Sequence, residues 1–239
     1  MPRVAIVAAM EREVRPLVKR WRVTDTEHEG RRFRFFEDGD VVMVCSGIGA
    51  EAARRAAEAV IAIYIPSMVY SVGFAGALDP GMKAGSVVQP AQVINANDGS
   101  RVKVNGGDGV LVSFGSVATP AQKAKLRESF GAQFVDMEAA AVARAAQARG
   151  VEFAAVKAIS DEFDFTFPAM ERFVDSAGGF RQTRFAAFAA LRPWLWPRVW
   201  KLAHNSSLAS RALSDWLATS MNRMIASAPG QKLEAIQRP

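Results

Sequence analysis

Three carboxylates stand where apolar, strand-like runs pass into helical patterns, and few other side chains in the sequence could carry chemistry. Glu13 follows the apolar run 4–10, Glu138 enters where the short strand-like piece FVD passes into an Ala-rich helical pattern, and Asp161 leaves the apolar run 153–159. In open α/β sheets ligands bind just past the carboxyl ends of strands. An acid there is a candidate for acid–base work, although a helix N-cap or first-turn acid accounts equally well for each taken singly. Glu11 and Glu13 both follow the first run, but residues two apart on a helix diverge by about 200°, so only one of them faces a shared pocket.

The remaining inventory narrows the chemistry. Cys45 is the single cysteine, which excludes an internal disulfide framework and a Cys-cluster metal site. Only His28 and His204 are present, so a His-based metal centre is not expected either. Chemistry without metal or organic cofactor, run on carboxylates, is the expectation.

Two glycine turns lie at successive strand ends. In SGIGAEAA, Gly47, Gly49 and Ala52 fit the G-x-G-x-x-G/A fingerprint that presents backbone N–H groups at a helix N-terminus. The acid expected about 20 residues later is missing, because Val69, Tyr70, Ser71 and Val72 stand there. A turn offering N–H groups to a ribose, a water or an anion is favoured over a dinucleotide site, with a non-catalytic nucleotide-binding module as the alternative. Gly73-Phe74-Ala75-Gly76 closes the next strand in the same way. Together they suggest one pocket lined by backbone.

The elements that must position these residues alternate. Strand-like runs at 3–8, 33–37, 41–45, 68–72, 86–94, 110–114 and 153–159 are interleaved with helical patterns at about 11–20, 49–64, 120–130 and 138–149. The fold class is α/β, a mixed central sheet flanked by helices in a three-layer sandwich, with a C-terminal helical extension. Turn chemistry agrees: Glu37-Asp38-Gly39-Asp40 reads as a hairpin, Asp79-Pro80-Gly81 as a tight turn, and residues 105–109 as a loop. Residues 59–78 carry no charge over 20 positions. Pro66, Gly73 and Gly76 divide that run into a helix end, a turn and a buried strand, not a membrane span. The N-terminus lacks the basic region and cleavage site of a signal peptide, so a cytoplasmic location is expected.

The run AAMEREV, then SGIG, then GFAGAL followed by GSVV, then FVDMEAAAVA, then VKAISD resembles the nucleoside phosphorylase superfamily over about residues 3–165. Within it the chain is most similar to the nucleosidases acting on methylthioadenosine and S-adenosylhomocysteine. The resemblance implies hydrolysis of the bond between a purine and a ribose, by a homodimer. It implies that Glu13 positions and deprotonates water, Glu138 binds the ribose hydroxyls, Met137 packs under the sugar, and Asp161, beside Ser160, protonates purine N7. An oxocarbenium-like transition state and a leaving group that is poor until protonated make three acids with three tasks reasonable. Asp161 is then expected as a neutral acid through desolvation, and Glu13 as an ionised base. Phosphate as nucleophile, the alternative, would be repelled by Glu13.

Two residues depart from the family pattern. Phe74 stands where a small hydroxyl residue is usual, and Lys157 where an Arg usually precedes AISD. Phe74 adds bulk and removes a hydrogen bond, whereas Lys157 keeps the charge but loses the bidentate fork. With Gly73 and Gly47, both are counted among the substrate-binding residues. Residues 95–133 look shorter than usual, and 114–119 is the expected base-binding loop.

Composition divides the chain into a catalytic part, 1–190, a Trp-rich basic helical extension, 191–226, and a flexible tail, 227–239. Residues 181–239 hold nine Lys/Arg against two acids, Asp215 and Glu234, so the basic balance belongs to this segment. Trp194, Trp196 and Trp200 lie among Arg192, Arg198 and Lys201. This is the composition of helices that rest on anionic lipid, and 192–201 is the expected peripheral contact with the inner membrane surface. A helical hairpin packed on the domain or across a dimer is the competing reading. No nucleic-acid-binding motif accompanies the charge. The tail also resembles that of the hopanoid-associated branch of the superfamily, which implies an adenine nucleoside with a bulky apolar 5′ substituent such as adenosylhopane.

Overall fold

The strand nearest the middle of the molecule is β5 (Met68–Ala77), and the sheet is built outward from it. The computed structural model describes residues 2–104, 106–165, 170–173 and 181–229. On one edge β5 pairs in parallel with β1 (Val4–Ala8) and, further along, antiparallel with β10 (Phe134–Asp136). Along its other edge runs β11 (Glu152–Asp161), parallel over nearly its whole length. Outward from β1 come β4 (Val41–Cys45), β3 (Arg31–Asp38) and β2 (Arg22–His28); outward from β10 come β9 (Val110–Ser113), β7 (Gln92–Asn95) and β8 (Arg101–Lys103). The short β6 (Val87–Val88) pairs with β11 and completes a mixed sheet of 11 strands among the described residues.

Helices α1 (Glu11–Val18), α2 (Ala50–Tyr64), α3 (Pro120–Phe130), α4 (Ala139–Ala148), α5 (Gln182–Ala190) and α6 (Trp196–Ser227) flank it, so the expected α/β class with helices on a mixed sheet is what forms. Small residues explain the close packing of α2 with α4. Ala53, Ala56 and Ala57 on one helix and Ala139, Ala143 and Ala146 on the other are all fully buried. The uncharged run 59–78 divides as expected into the end of α2, a turn and β5. No helix among the described residues is long and apolar enough to cross a membrane.

Two local readings are corrected. Residues 86–94 are not one strand. Pro90 has no N–H to give a ladder, so β6 and β7 separate there and join opposite parts of the sheet. The strand β2 carries no apolar alternation, and its side chains are exposed or half-buried. It forms because Glu29 and Gly30, both at positive φ, close a tight hairpin onto β3. The part of the expected flexible tail beyond Pro229 lies outside the described residues.

The segment that composition sets apart supplies α6, 32 residues long. Ala209, Leu213, Leu217 and Met224 line one of its faces and are buried in the same hydrophobic cluster as β1, β4 and β5. Hydrogen bonds fix its position on α1 and β1. Ser210 Oγ donates to the carbonyls of Arg12 and Glu13, each at 3.1 Å, and Arg3 Nη2 donates to the Ala228 carbonyl at 2.8 Å. Leu213→Ala should therefore cost about 2–5 kcal/mol, the usual range for a buried leucine, in urea unfolding. A loss well under about 1 kcal/mol would mean that α6 only rests on the rest of the chain.

Candidate active site

Two glycines of β5 are required by two carboxylates. A Cβ at Gly73 would lie 2.8 Å from Glu13 Oε2, and one at Gly76 would lie 2.7 Å from Asp161 Oδ2. Either contact is closer than a Cβ makes, so a side chain at these positions would push the carboxylate end aside. Glu13 and Asp161 thus press on one strand at points about 10 Å apart along it, from a rise of about 3.3 Å per residue. Glu13 is brought there by β1, whose last residue, Ala8, pairs with Val72 immediately before Gly73. Asp161 is brought by an irregularity at the end of β11: Ile159 pairs with Ala75 and Asp161 with Gly76, which leaves Ser160 as an extra residue. A bulge of this kind re-aims the side chain that follows it.

Around Glu13 the charges are buried and unequal. Glu138, the first residue ahead of α4, accepts from the Gly49 N–H at 2.7 Å through Oε1 and from the Met137 N–H at 3.2 Å through Oε2. The helix N-terminus at the SGIG turn therefore holds a carboxylate of the chain itself. Gly47, counted as substrate-binding, spends its N–H on the Ala9 carbonyl at 2.8 Å, so it shapes the turn. Asp136, which the sequence reading passed over, accepts from Ser113 Oγ at 2.6 Å and the Ala139 N–H at 2.9 Å, and pairs with Lys157 Nζ at 2.9 Å. Lys157 also donates to Ser71 Oγ at 3.0 Å. With its side chain 2% exposed, it lies beneath the site as a counter-ion, not on its surface as a substrate-binding group.

Burial and crowding then set the protonation. Glu13 is pushed up to about 8, by loss of water first and by the neighbouring Glu138 second, against the pull of Lys157. Its Oε2 has no hydrogen-bond partner among the described residues. Glu138 is raised to about 7 by burial and then by Asp136. Burial and Glu138 together outweigh Lys157, Arg12 and the Met10 backbone, which favours the protonated form of the acid expected to be ionised. Cys45, at the end of β4, is raised to about 12 by burial and then by Glu13, which leaves its thiol inert.

At the other end of the site Asp161 is not isolated by desolvation. Its side chain is 23% exposed and pairs with Lys123 Nζ at 2.5 Å, while Ser160 Oγ donates to Oδ1 at 2.9 Å. Lys123 comes from α3, which starts with a capping box in which Thr119 and Gln122 bond reciprocally. The T-P-x-Q spelling announces that helix, but nothing local marks Lys123. Residues 114–119 lead into α3 and so lie on the Asp161 side. Met137 and Phe74 are half-buried, Phe74 packed against the main core. Among the described residues no group of three or more His, Cys, Asp or Glu side chains is placed to hold a metal ion.

A fold of this kind, with acids at strand ends over backbone glycines, is matched by the family model described as the phosphorylase superfamily, over residues 3–113 and 108–190; the chain belongs to that superfamily. It is 32% identical over 101 residues to a 5′-methylthioadenosine/S-adenosylhomocysteine nucleosidase of Marinomonas sp., a stretch of 38% of this chain and 41% of that relative. The match thus spans about two fifths of the relative's length. Among solved structures it is similar to the nucleosidase of Neisseria meningitidis in complex with methylthio-immucillin-A, at 20% identity and a TM-score of 0.69, covering 92% of this chain and 98% of that one. The futalosine hydrolase of Helicobacter pylori is similar at 17% identity with a TM-score of 0.69, covering 93% and 98%. These structural likenesses show a shared fold.

The buried acids have a measurable consequence. Glu13 and Glu138 bind protons more tightly folded than unfolded, so their effect on stability is most favourable below about 4.5 and declines as pH rises through about 7 and 8. The ligand-free chain should melt at a lower temperature at about pH 9 than at about pH 6, and Glu13→Gln should reduce that difference. An undiminished difference in the variant would place Glu13 in a wetter setting than the geometry shows.

Proposed function

We propose that the chain hydrolyses the N-glycosidic bond of an adenine nucleoside. The observation that carries this reading is the pair Glu13 and Asp161, held over one strand by glycines at both points, with Glu138 beside Glu13. In this reading Glu13 takes the proton of the attacking water, Glu138 binds the ribose hydroxyls, Met137 packs under the sugar, and Asp161 passes a proton to purine N7 as the bond to C1′ breaks. Carboxylates also favour the positive charge that develops on the sugar. The resting proton on Glu13 must leave before it can act as a base, so kcat/KM should rise with pH toward about 8.

Water is favoured over phosphate by charge. Lys157 is committed to Asp136 and Lys123 to Asp161, so neither ammonium is left to receive a dianion, and the base form of Glu13 would repel one. The names of the similar proteins, nucleosidase and hydrolase, point the same way. A nucleotide-binding module is disfavoured because Glu138 already occupies the Gly49 N–H that would cradle phosphate.

The 5′ substituent is proposed to be bulky and apolar, as in adenosylhopane, on a cytoplasmic homodimer that touches the inner membrane surface. Lys201 Nζ reaches Glu162 Oε2 at 3.1 Å, which ties the start of α6 to the residue after Asp161. Beside that tie Leu191, Trp194 and Trp200 are each at least 70% exposed, and Trp196 is 56% exposed. Arg198 is exposed among them. Rings at headgroup level with cations toward anionic lipid would place the site mouth at the membrane.

Free-base release without phosphate from adenosine, methylthioadenosine and a long-alkyl 5′-substituted adenosine tests the activity. Adenine is expected, fastest from the alkyl substrate, and Asp161→Asn should lose at least about 100-fold. Release only with phosphate would overturn the role of Glu13, and full activity in Asp161→Asn would remove the general acid. Co-sedimentation with anionic vesicles tests the surface: binding should weaken with salt and in a Trp194→Ala/Trp200→Ala double variant. Equal binding by the double variant would sink the membrane reading, and sedimentation of the purified chain tests the dimer.

A further inference from the structure

Both side-chain oxygens of Asp161 face a donor in this arrangement. It accepts at Oδ1 from the Ser160 hydroxyl at 2.9 Å and at Oδ2 from the Lys123 ammonium at 2.5 Å. The nearest acidic proton is on Lys123 itself. That lysine is 1% exposed, and its second contact, the Glu162 carbonyl at 2.6 Å, aims the ammonium along the end of β11. Its partner lies 38 residues away on another element, so the contact is made by the fold and not by chain proximity. A buried ammonium is costly unless paired. A lysine at this spot therefore calls for an account beyond solvation of a surface charge.

We propose that Lys123 is the proton source behind Asp161, an inference that rests on the nucleosidase reading. As the C1′–N9 bond breaks, its electron pair goes to the purine and N7 takes a proton from Asp161. That proton reaches Asp161 from Lys123 Nζ before it moves on to N7. The sugar carbon receives the oxygen of water, and Glu13 takes the water's proton. Nucleoside and water become free base and ribose, Lys123 is left as a neutral amine and Glu13 as an acid, and one proton exchanged through solvent restores both. Lys123 acts through Asp161, so it is a positioning and proton-supplying residue.

The experiment compares two leaving groups on Lys123→Met and Lys123→Arg. Adenine needs protonation to leave, whereas the nitrophenolate of p-nitrophenyl β-ribofuranoside departs without it. With adenosine both variants should lose about 100-fold or more in kcat, and with the nitrophenyl riboside both should stay within about threefold of the unsubstituted chain, since acid catalysis is not called upon. Arginine keeps the charge and the ion pair but does not give up its proton in proteins, so it should fail where a charge-only role would be rescued. Equal losses on both substrates would show a structural role and overturn the proposal, as would full adenine release by Lys123→Arg or no loss in either variant. If neither variant folds, the unsubstituted chain is compared on the two substrates as pH is raised. A kcat that falls for adenosine while that for the nitrophenyl riboside holds supports a proton drawn from the ammonium, and profiles that fall together or not at all overturn it. An unsubstituted chain that releases no base from any nucleoside fails the nucleosidase reading itself, a result separable from every variant outcome.

Discussion

Three carboxylates, Glu13, Asp136 and Glu138, share one ammonium, that of Lys157, in a space from which water is excluded. The pairing is unequal by construction. Asp136 takes the ion pair together with a hydroxyl and a backbone N–H, and Glu138 takes two backbone N–H groups. Glu13 is left with a partnerless oxygen against bare strand backbone. An isolated charge in such a place is strongly disfavoured, so the proton stays on Glu13 until something in the site changes. The group with the fewest partners is also the one best able to exchange a proton with a reactant.

The strand β5 makes this possible because it is shared. Its first half is held by β1 and β11, its second by β10 and β11, so the strands that lead to Glu13 and Glu138 and the one that ends in Asp161 all pair with the same ten residues. A side chain at position 73 or 76 would fill the room that the carboxylates need. The glycines are therefore a packing requirement of the site as much as a feature of the strand.

Helix α6 links the site to the surface. Its apolar face closes the core, and its start, tied through Lys201 to Glu162, carries exposed tryptophans. One element thus packs on α1, whose first turn bears Glu13, and through Lys201 contacts Glu162, the residue after Asp161. Composition marked that segment as basic and Trp-rich, but composition does not reveal which face of a helix is buried.

The class of fold, the order of most elements and the superfamily were legible in the sequence alone, because hydrophobic period, turn chemistry and acids at strand ends are written within a few residues of one another. Strand β2 was not, since a polar edge strand leaves no periodic trace and forms only by pairing with its neighbour. Nor could the sequence show that Lys157 is buried beneath the acids, that the Gly49 N–H is taken by Glu138 across 89 residues, or that Lys123 reaches Asp161 across 38. Those facts depend on which groups the closed sheet brings together and on how much water it expels. Protonation in the site follows from the same two causes, so tertiary structure alone decided it.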